Sequence, residues 1–360
     1  MRKQDAQVLK LYPNVIPVRG YNRSLLVDLQ KAKSHLVPND LIDCIEENTF
    51  TGPEEYEFFI LNNELGIYLE SEIAECLTPL PLNYLPATKI TNAIIELDEK
   101  SSWSIQSVLN QLDDLGVQFL EVRFLDYDSV LNKLPILKEH CNETTIESIQ
   151  ILVPFSLGLR AFLNTSLSDH LFRLSKIIVY NAQESFELDV NFYKLIFTNQ
   201  ESVSHEHCGN ISMDYFSINT QSYVRNMNYN SCLAHKISVD RKGFIGNCPS
   251  IKEQFGHIDK ISLLEVLEIN EFQRKWKLTK DKISICSVCE FRRICIDCRA
   301  FTSDNTEIGK PSKCGYNPFI SLWKGDENYM TEEECGISIE NGLMIISEEQ
   351  INKINKRIWG

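Results

Sequence analysis

ICSVCEFRRICIDCRAF, residues 285–301, places Cys286, Cys289, Cys295 and Cys298 within thirteen positions. Around it the cysteines stay dense. Eight of the chain's twelve lie between Cys208 and Cys314, whereas Cys44, Cys76, Cys141 and Cys335 stand alone. Isolated cysteines behave as small hydrophobes, and these four are expected to be ordinary packing residues. The eight read as Cys208, then Cys232-x10-Gly243-x4-Cys248, then Cys286-x2-Cys289-x5-Cys295-x2-Cys298, then Cys314.

Composition bounds what such a set can do. The chain has 360 residues, 43% of them hydrophobic and 24% charged, as in ordinary globular proteins. That length suggests two or three domains with real cores. A net charge of −14 argues against nonspecific contact with nucleic acid or an anionic membrane surface. The N-terminal stretch MRKQDAQVLKLYPNVIPVRG holds no apolar run of signal-peptide length, and no run is long enough to span a membrane. The expected setting is the reduced cytoplasm, where clustered cysteines point to metal or catalysis before disulfides.

Eight thiols suffice for two cubane iron–sulfur clusters, each taking four thiolates. Zinc is the alternative. Paired C-x2-C knuckles in zinc ribbons are usually about fifteen to twenty residues apart, and only five residues separate Cys289 from Cys295. Two zinc sites nevertheless remain compatible with eight cysteines.

The pattern C-x10-G-x4-C … C-x2-C-x5-C-x2-C … C resembles the SPASM domain, with one residue fewer before Cys298 than the usual C-x5-C-x3-C. The segments HCGNIS, YNSCLAHKISVDRKGFIGNCPS, FGHI, EFQRKWKLTKDKI, CSVCEFRRICIDCRAF and KCGYNP are similar to the SPASM-domain peptide maturases of the grasp-with-spasm systems, densely over 205–320. The resemblance implies two auxiliary [4Fe–4S] clusters, a ribosomal precursor peptide and an ATP-grasp ligase as partners. By position it implies one cluster on Cys232, Cys248, Cys298 and Cys208, and a second on Cys286, Cys289, Cys295 and Cys314. His207 competes with Cys208 for the upstream place, and Asp297 is the alternative to Cys298. Arg292 and Arg293, with Lys282 and Arg299 nearby, are expected to offset the anionic core. Phe291 and Ile294 are expected to keep water away. VDRKGFIGNC reads as a hairpin with Gly243 at its tip, holding Cys248 toward Cys232.

Upstream, five short β-branched runs read as buried parallel strands: NAIIEL (92–97), VQFLEVRFL (117–125), IQILVPF (149–155), KIIVYNA (176–182) and KLIFTN (194–199). Between the first two lies SIQSVLNQLDDLG (104–116), with Ile105, Val108, Leu109 and Leu112 on one face and Gly116 as a stop. DSVLNKLPILKEH (128–140) reads as a helix interrupted by Pro135. This is the rhythm of β/α units and fits a partial (β/α) barrel like that of radical S-adenosylmethionine enzymes. Those enzymes carry C-x3-C-x2-C after the first strand. Here NAIIEL is followed by DEKSSWSIQSV, without cysteine. No S-adenosylmethionine cluster is therefore expected, and the barrel reads as degenerate.

The expected fold is thus α/β. A small α+β module of winged-helix size occupies 1–85, with a strand at Leu25–Leu29, a helix at Asn39–Glu46 and a hairpin or helix-plus-wing in YEFFILNNELGIYLE (56–70). A degenerate radical-SAM-like partial barrel follows over 86–205, then the cysteine-rich SPASM domain over 206–320. A tail over 321–360 ends in a helix with Ser347 as its cap. Such an N-terminal module can hold a precursor's leader as an added strand, and removing 1–85 is expected to abolish precursor affinity and leave iron in place. The function expected is a peptide maturation protein acting with an ATP-grasp ligase, with no catalytic residue assigned. Its competitors are an active radical or redox peptide-modifying enzyme and a zinc-stabilised protein–protein adaptor.

Overall fold

The computed structural model describes residues 7–141, 143–159, 171–190, 192–200, 208–304, 306–340 and 342–360. They form a mixed α/β protein of two compact units, both discontinuous in sequence. One comprises Met1–Tyr84, Asn210–Ser231 and Leu278–Gly360; the other comprises Leu85–Gly209 and Cys232–Lys277.

In the first unit, β1 (Gln7–Leu11), β2 (Val15–Val18), β3 (Ser24–Asp28) and β4 (Lys33–Val37) lead into helix α1 (Asn39–Asp43). Pro38 at its N-cap presets an extended entry. Then come β5 (Ile45–Glu46), β6 (Thr49–Phe50), α2 (Glu54–Asn62), β7 (Gly66–Glu70) and the short α3 (Ser71–Ala74). Two small antiparallel sheets result, β5-β6-β1-β7 and β2-β3-β4. The 56–70 stretch is thus a helix followed by an edge strand. All five residues of β3 are buried, because it is the central strand of its sheet and packs on both faces. Leu26 joins Leu9, Leu11, Phe50 and Ile60 in one core. Leu25 and Val27 enter another, together with Phe291, Ile294, Cys295 and Tyr316. Residues 7–84 and the cysteine-rich segment therefore share a core.

The second unit is built on an eight-stranded sheet. Its strands are β8 (Asn92–Leu97), β9 (Phe119–Phe124), β10 (Ser148–Pro154), β11 (Leu174–Tyr180), β12 (Phe186–Val190), β13 (Tyr193–Phe197), β14 (Lys236–Val239) and β15 (Ile245–Gly246). Their order is β12-β13-β11-β10-β9-β8-β14-β15. The six from β13 to β14 are mutually parallel; β12 and β15 pair antiparallel at the two edges. Among the described residues the sheet has these two edges and forms no closed barrel.

Helix α4 (Ile105–Asp114) follows β8. Ser104 caps it by accepting from Ser107 N, and Gly116 ends it at φ +67°, a conformation glycine adopts without strain. Ile105, Val108, Leu109 and Leu112 are all buried, as their spacing requires. Helix α5 (Tyr127–Cys141) runs uninterrupted through Pro135. Proline costs about 3 kcal/mol inside a helix, but Val130, Leu134, Leu137 and Cys141 are buried on either side of it. That burial holds the helix continuous. Strand β12 was not legible in sequence, because FELDV is almost wholly exposed.

The hairpin of β14 and β15 turns at Gly243, with φ +88°, and joins the large sheet through β14 and β8. The C-terminal helix (Glu348–Trp359) starts after Ser347, whose side chain makes no capping bond. No helix of the described residues is long and apolar enough to cross a membrane.

Candidate metal centres

The four-cysteine run folds into two successive 3₁₀ turns, Cys286–Val288 and Glu290–Arg293, with Cys289 extended between them. In a 3₁₀ turn, side chains three apart eclipse. This is why C-x2-C brings Cys286 and Cys289 to one side. Cys289 N donates to Cys286 O at 3.1 Å and Cys295 N to Phe291 O at 3.0 Å, fixing the run's course. Cys314 is held by a bridge to Ile211 and by its N–H on Pro311 O. Phe291 and Ile294 are buried in the core that contains Cys295, with Cys289 and Cys314 packed against it.

Cys286, Cys289, Cys295 and Cys314 lie within electrostatic reach of one another. Burial pushes the Cys295 thiol up to about 12, and burial with the neighbouring Glu290 holds Cys289 well above the usual thiol range. Cys286 is also raised by burial, although Lys280 opposes it. Burial thus favours the protonated form of these thiols, and a bound metal would reverse that preference.

Three buried cations surround this set. Lys280 Nζ lies 3.9 Å from Cys286 Sγ and 3.5 Å from Asp297 Oδ1. Burial works against its charge, yet Cys286, Cys295, Asp297 and Cys314 outweigh it. Arg299 pairs with Asp297 at 2.7 Å and donates to Gly309 O at 2.7 Å. Lys310 donates to Tyr316 O at 2.8 Å and pairs with Glu332, and both Cys314 and Cys286 act on it. Three cations thus face two carboxylates, leaving one positive charge in excess. An anionic metal–thiolate group compensates it, whereas neutral thiols do not.

The charge pattern differs from the one the sequence suggested. Arg292 and Arg293 are both bound by Asp281, at 3.2 and 2.7 Å. Arg292 still lies within reach of Cys289 and Arg299 acts on Cys286, as expected, but Lys280 and Lys310 join them, and nothing in KLTKDKI distinguishes Lys280 from Lys282 before folding. Asp297 is corrected as well. Its carboxylate is shared by Arg299, Lys280 and Asn230 Nδ2, the last at 2.5 Å, so it acts as a counter-ion and has no capacity left as a ligand.

Of the other proposed set, Cys208, Cys232 and Cys248 belong to the second unit and Cys298, buried, to the first. Cys248 sits just past the hairpin and is pushed up to about 11 by burial and by Cys232, with Cys208 also within reach. Lys236 Nζ lies 3.6 Å from Cys232 Sγ. Arg123, buried on β9, is clasped by Glu121 at 2.5 Å and Glu96 at 3.4 Å and also senses Cys248. His205 and His207 lie outside the described residues.

Among the described residues, no three His, Cys, Asp or Glu side chains converge tightly enough to hold a single ion. The thiols form looser groupings around buried ammonium groups. The four solitary cysteines divide: Cys141 and Cys335 are buried, Cys44 is half-buried, and Cys76 is exposed, contrary to the expectation that all four pack inside. No family model matches the chain, and no curated protein matches it.

Proposed function

We propose that this chain is a SPASM-type maturation protein for a ribosomally synthesised peptide, binding two [4Fe–4S] clusters and acting in the cytoplasm with an ATP-grasp ligase. The observation that carries this reading is the gathering of Cys286, Cys295 and Cys314 about the buried Lys280, with Cys289 within reach of those three thiols. A loose thiol set, with Cys286 and Cys295 buried and Cys289 and Cys314 half-buried, beside excess positive charge suits a multi-atom anionic core. These four residues would hold one cluster. Cys208, Cys232 and Cys248 would supply ligands to the other. When bound, such a cluster supplies one-electron storage.

The large sheet is read as a degenerate radical-SAM-like partial barrel. After β8, where a cysteine loop would bind the S-adenosylmethionine cluster, the chain ties itself down. Ser101 Oγ donates to Arg241 O at 2.8 Å, and Lys133 Nζ donates to Asp98 O and Ser101 O, both at 2.7 Å. Precursor recognition is assigned to residues 7–84. There β7 is an edge strand, and Phe58 on α2 and Ile67 on β7 are exposed. An extended peptide adds to such an edge through backbone hydrogen bonds.

Anaerobic metal and sulfide analysis, with low-temperature paramagnetic resonance of the reduced protein, tests this reading. About eight iron and eight sulfide per chain, and a spectrum indifferent to S-adenosylmethionine, are expected. Zinc without sulfide would make the protein an adaptor. A spectrum perturbed by S-adenosylmethionine would make it an active radical enzyme.

A further inference from the structure

Among the three buried cations of the first unit, Lys280 is anchored differently from its companions. Arg299 makes bonds of 2.7 to 2.9 Å to Asp297, Glu307 O and Gly309 O. Lys310 has Tyr316 O at 2.8 Å and Glu332. Lys280, only 6% exposed, meets Asp297 at 3.5 Å and Cys286 Sγ at 3.9 Å, both at the limit of hydrogen bonding. An ammonium carries three N–H donors. Buried without strong acceptors it is expensive, unless closer acceptors arrive with what the thiols bind. Its neighbours are Cys286, one of the four thiols of this set, and Asp297. Asp297 is itself committed to Arg299 and Asn230.

We propose that Lys280 is the resident cation of this centre, donating from Nζ toward the cluster sulfurs and stabilising the reduced, more anionic state. The inference rests on the iron–sulfur reading above. Reduction adds one electron, from dithionite in the test below, and breaks no bond. A fixed positive charge beside the core favours the state with the extra electron, as hydrogen bonds to cluster sulfurs do generally. The cation also eases assembly, since the thiols must lose their protons to bind iron.

The test is an anaerobic redox titration of the full chain with dithionite and mediators, followed by paramagnetic resonance, for the wild type, Lys280→Met and Lys280→Arg. Lys280→Met should keep its iron while the equilibrium constant for reducing one cluster falls at least tenfold, about 59 mV for one electron. The other cluster should be unmoved, and Lys280→Arg should restore most of the shift. If Lys280→Met loses half its iron but Lys280→Arg retains it, the cation is needed to hold the core, which also supports the proposal. An unchanged potential at full iron content overturns it. So does equal loss of iron in both variants, which would make Lys280 a packing residue. Wild-type protein without iron or sulfide would instead defeat the iron–sulfur reading itself, so the two failures are distinguishable.

Discussion

Arg23 and Glu290, 267 positions apart in sequence, form an ion pair of 2.8 Å in which the carboxylate is completely buried. Tyr316 donates its hydroxyl to the same carboxylate. Around this pair, Tyr21 N donates to Val288 O at 2.8 Å and Arg292 donates to Arg19 O at 2.6 Å. Gly20 fits beneath: a Cβ there would lie 2.9 Å from Glu290 Cβ and closer still to Arg23 O. The loop of residues 19–23 is thus a strap over the turns that present Cys286 and Cys289.

Arg23→Ala leaves Glu290 buried without its cation. Breaking a buried pair by removing one partner costs about 3–5 kcal/mol. The urea midpoint, followed by tryptophan fluorescence, should fall accordingly. A shift worth less than about 1 kcal/mol, the scale of an exposed pair, would show that the strap adds little to the unit.

Deleting residues 1–84 should remove iron as well as peptide binding. The sequence suggested a detachable module. The structure instead places Val18, Leu25 and Val27 in one core with Phe291, Ile294 and Cys295. The truncated protein is expected to lose at least the cluster of Cys286, about four iron per chain. Full iron retention after truncation would contradict this.

Cys286→Ala and Cys232→Ala should each cost about four iron, and they should do so independently, since the two residues are assigned to different clusters. The double variant should then be nearly iron-free. Identical spectra for the two single variants would mean that the ligands are wrongly divided.

Much of the second unit was legible in sequence because its strands are nearly continuous β-branched runs and α4 repeats its apolar residues at helical spacing. Cys286, Cys289 and Cys295 stand out by their spacing, whereas Cys314 joined them only through the resemblance; the structure brings the four within electrostatic reach of one another. Lys280 and Glu290 were not legible. Their importance lies in burial: Lys280 sits in a stretch that looks like an ordinary charged surface loop, and Glu290, though inside the cysteine run, gives no sign in sequence of its distant partner Arg23. The sharing of β3 between two cores was hidden for the same reason: a five-residue apolar strand does not name its partners.

Gly243→Ala should loosen the hairpin that precedes Cys248. The glycine has φ +88°, and a Cβ would lie 2.7 Å from His257 Nε2 and 3.0 Å from Trp103. His257 Nε2 is already engaged with Lys242 O at 2.8 Å and yields poorly. Such a substitution destabilises by more than about 1 kcal/mol, and iron loss confined to the cluster of Cys232 and Cys248 is expected on mild heating. Lys242→Ala, at an exposed position of the same tip, is the control and should behave as wild type.

Alkylation of the metal-free protein should begin at Cys76, which is exposed, and reach the buried Cys141 only late. Burial raises the Cys141 thiol to about 12, so near pH 8 only about one part in 10⁴ is thiolate, the reactive form. Its labelling should rise with pH and become complete only on unfolding. Peptide mapping after timed iodoacetamide treatment reads both residues.

The discontinuity of the first unit sets a timetable for the protein's synthesis. The strap and β3 emerge early, but their partners Phe291, Tyr316 and Glu290 lie more than two hundred residues further on. At about 5–20 residues per second, the nascent chain waits on the order of ten seconds or more before that core can close. All of the second unit is translated within this interval. The set of Cys286, Cys289, Cys295 and Cys314 is therefore completed only after the second unit has been made, and any metal bound there would have to arrive after that point.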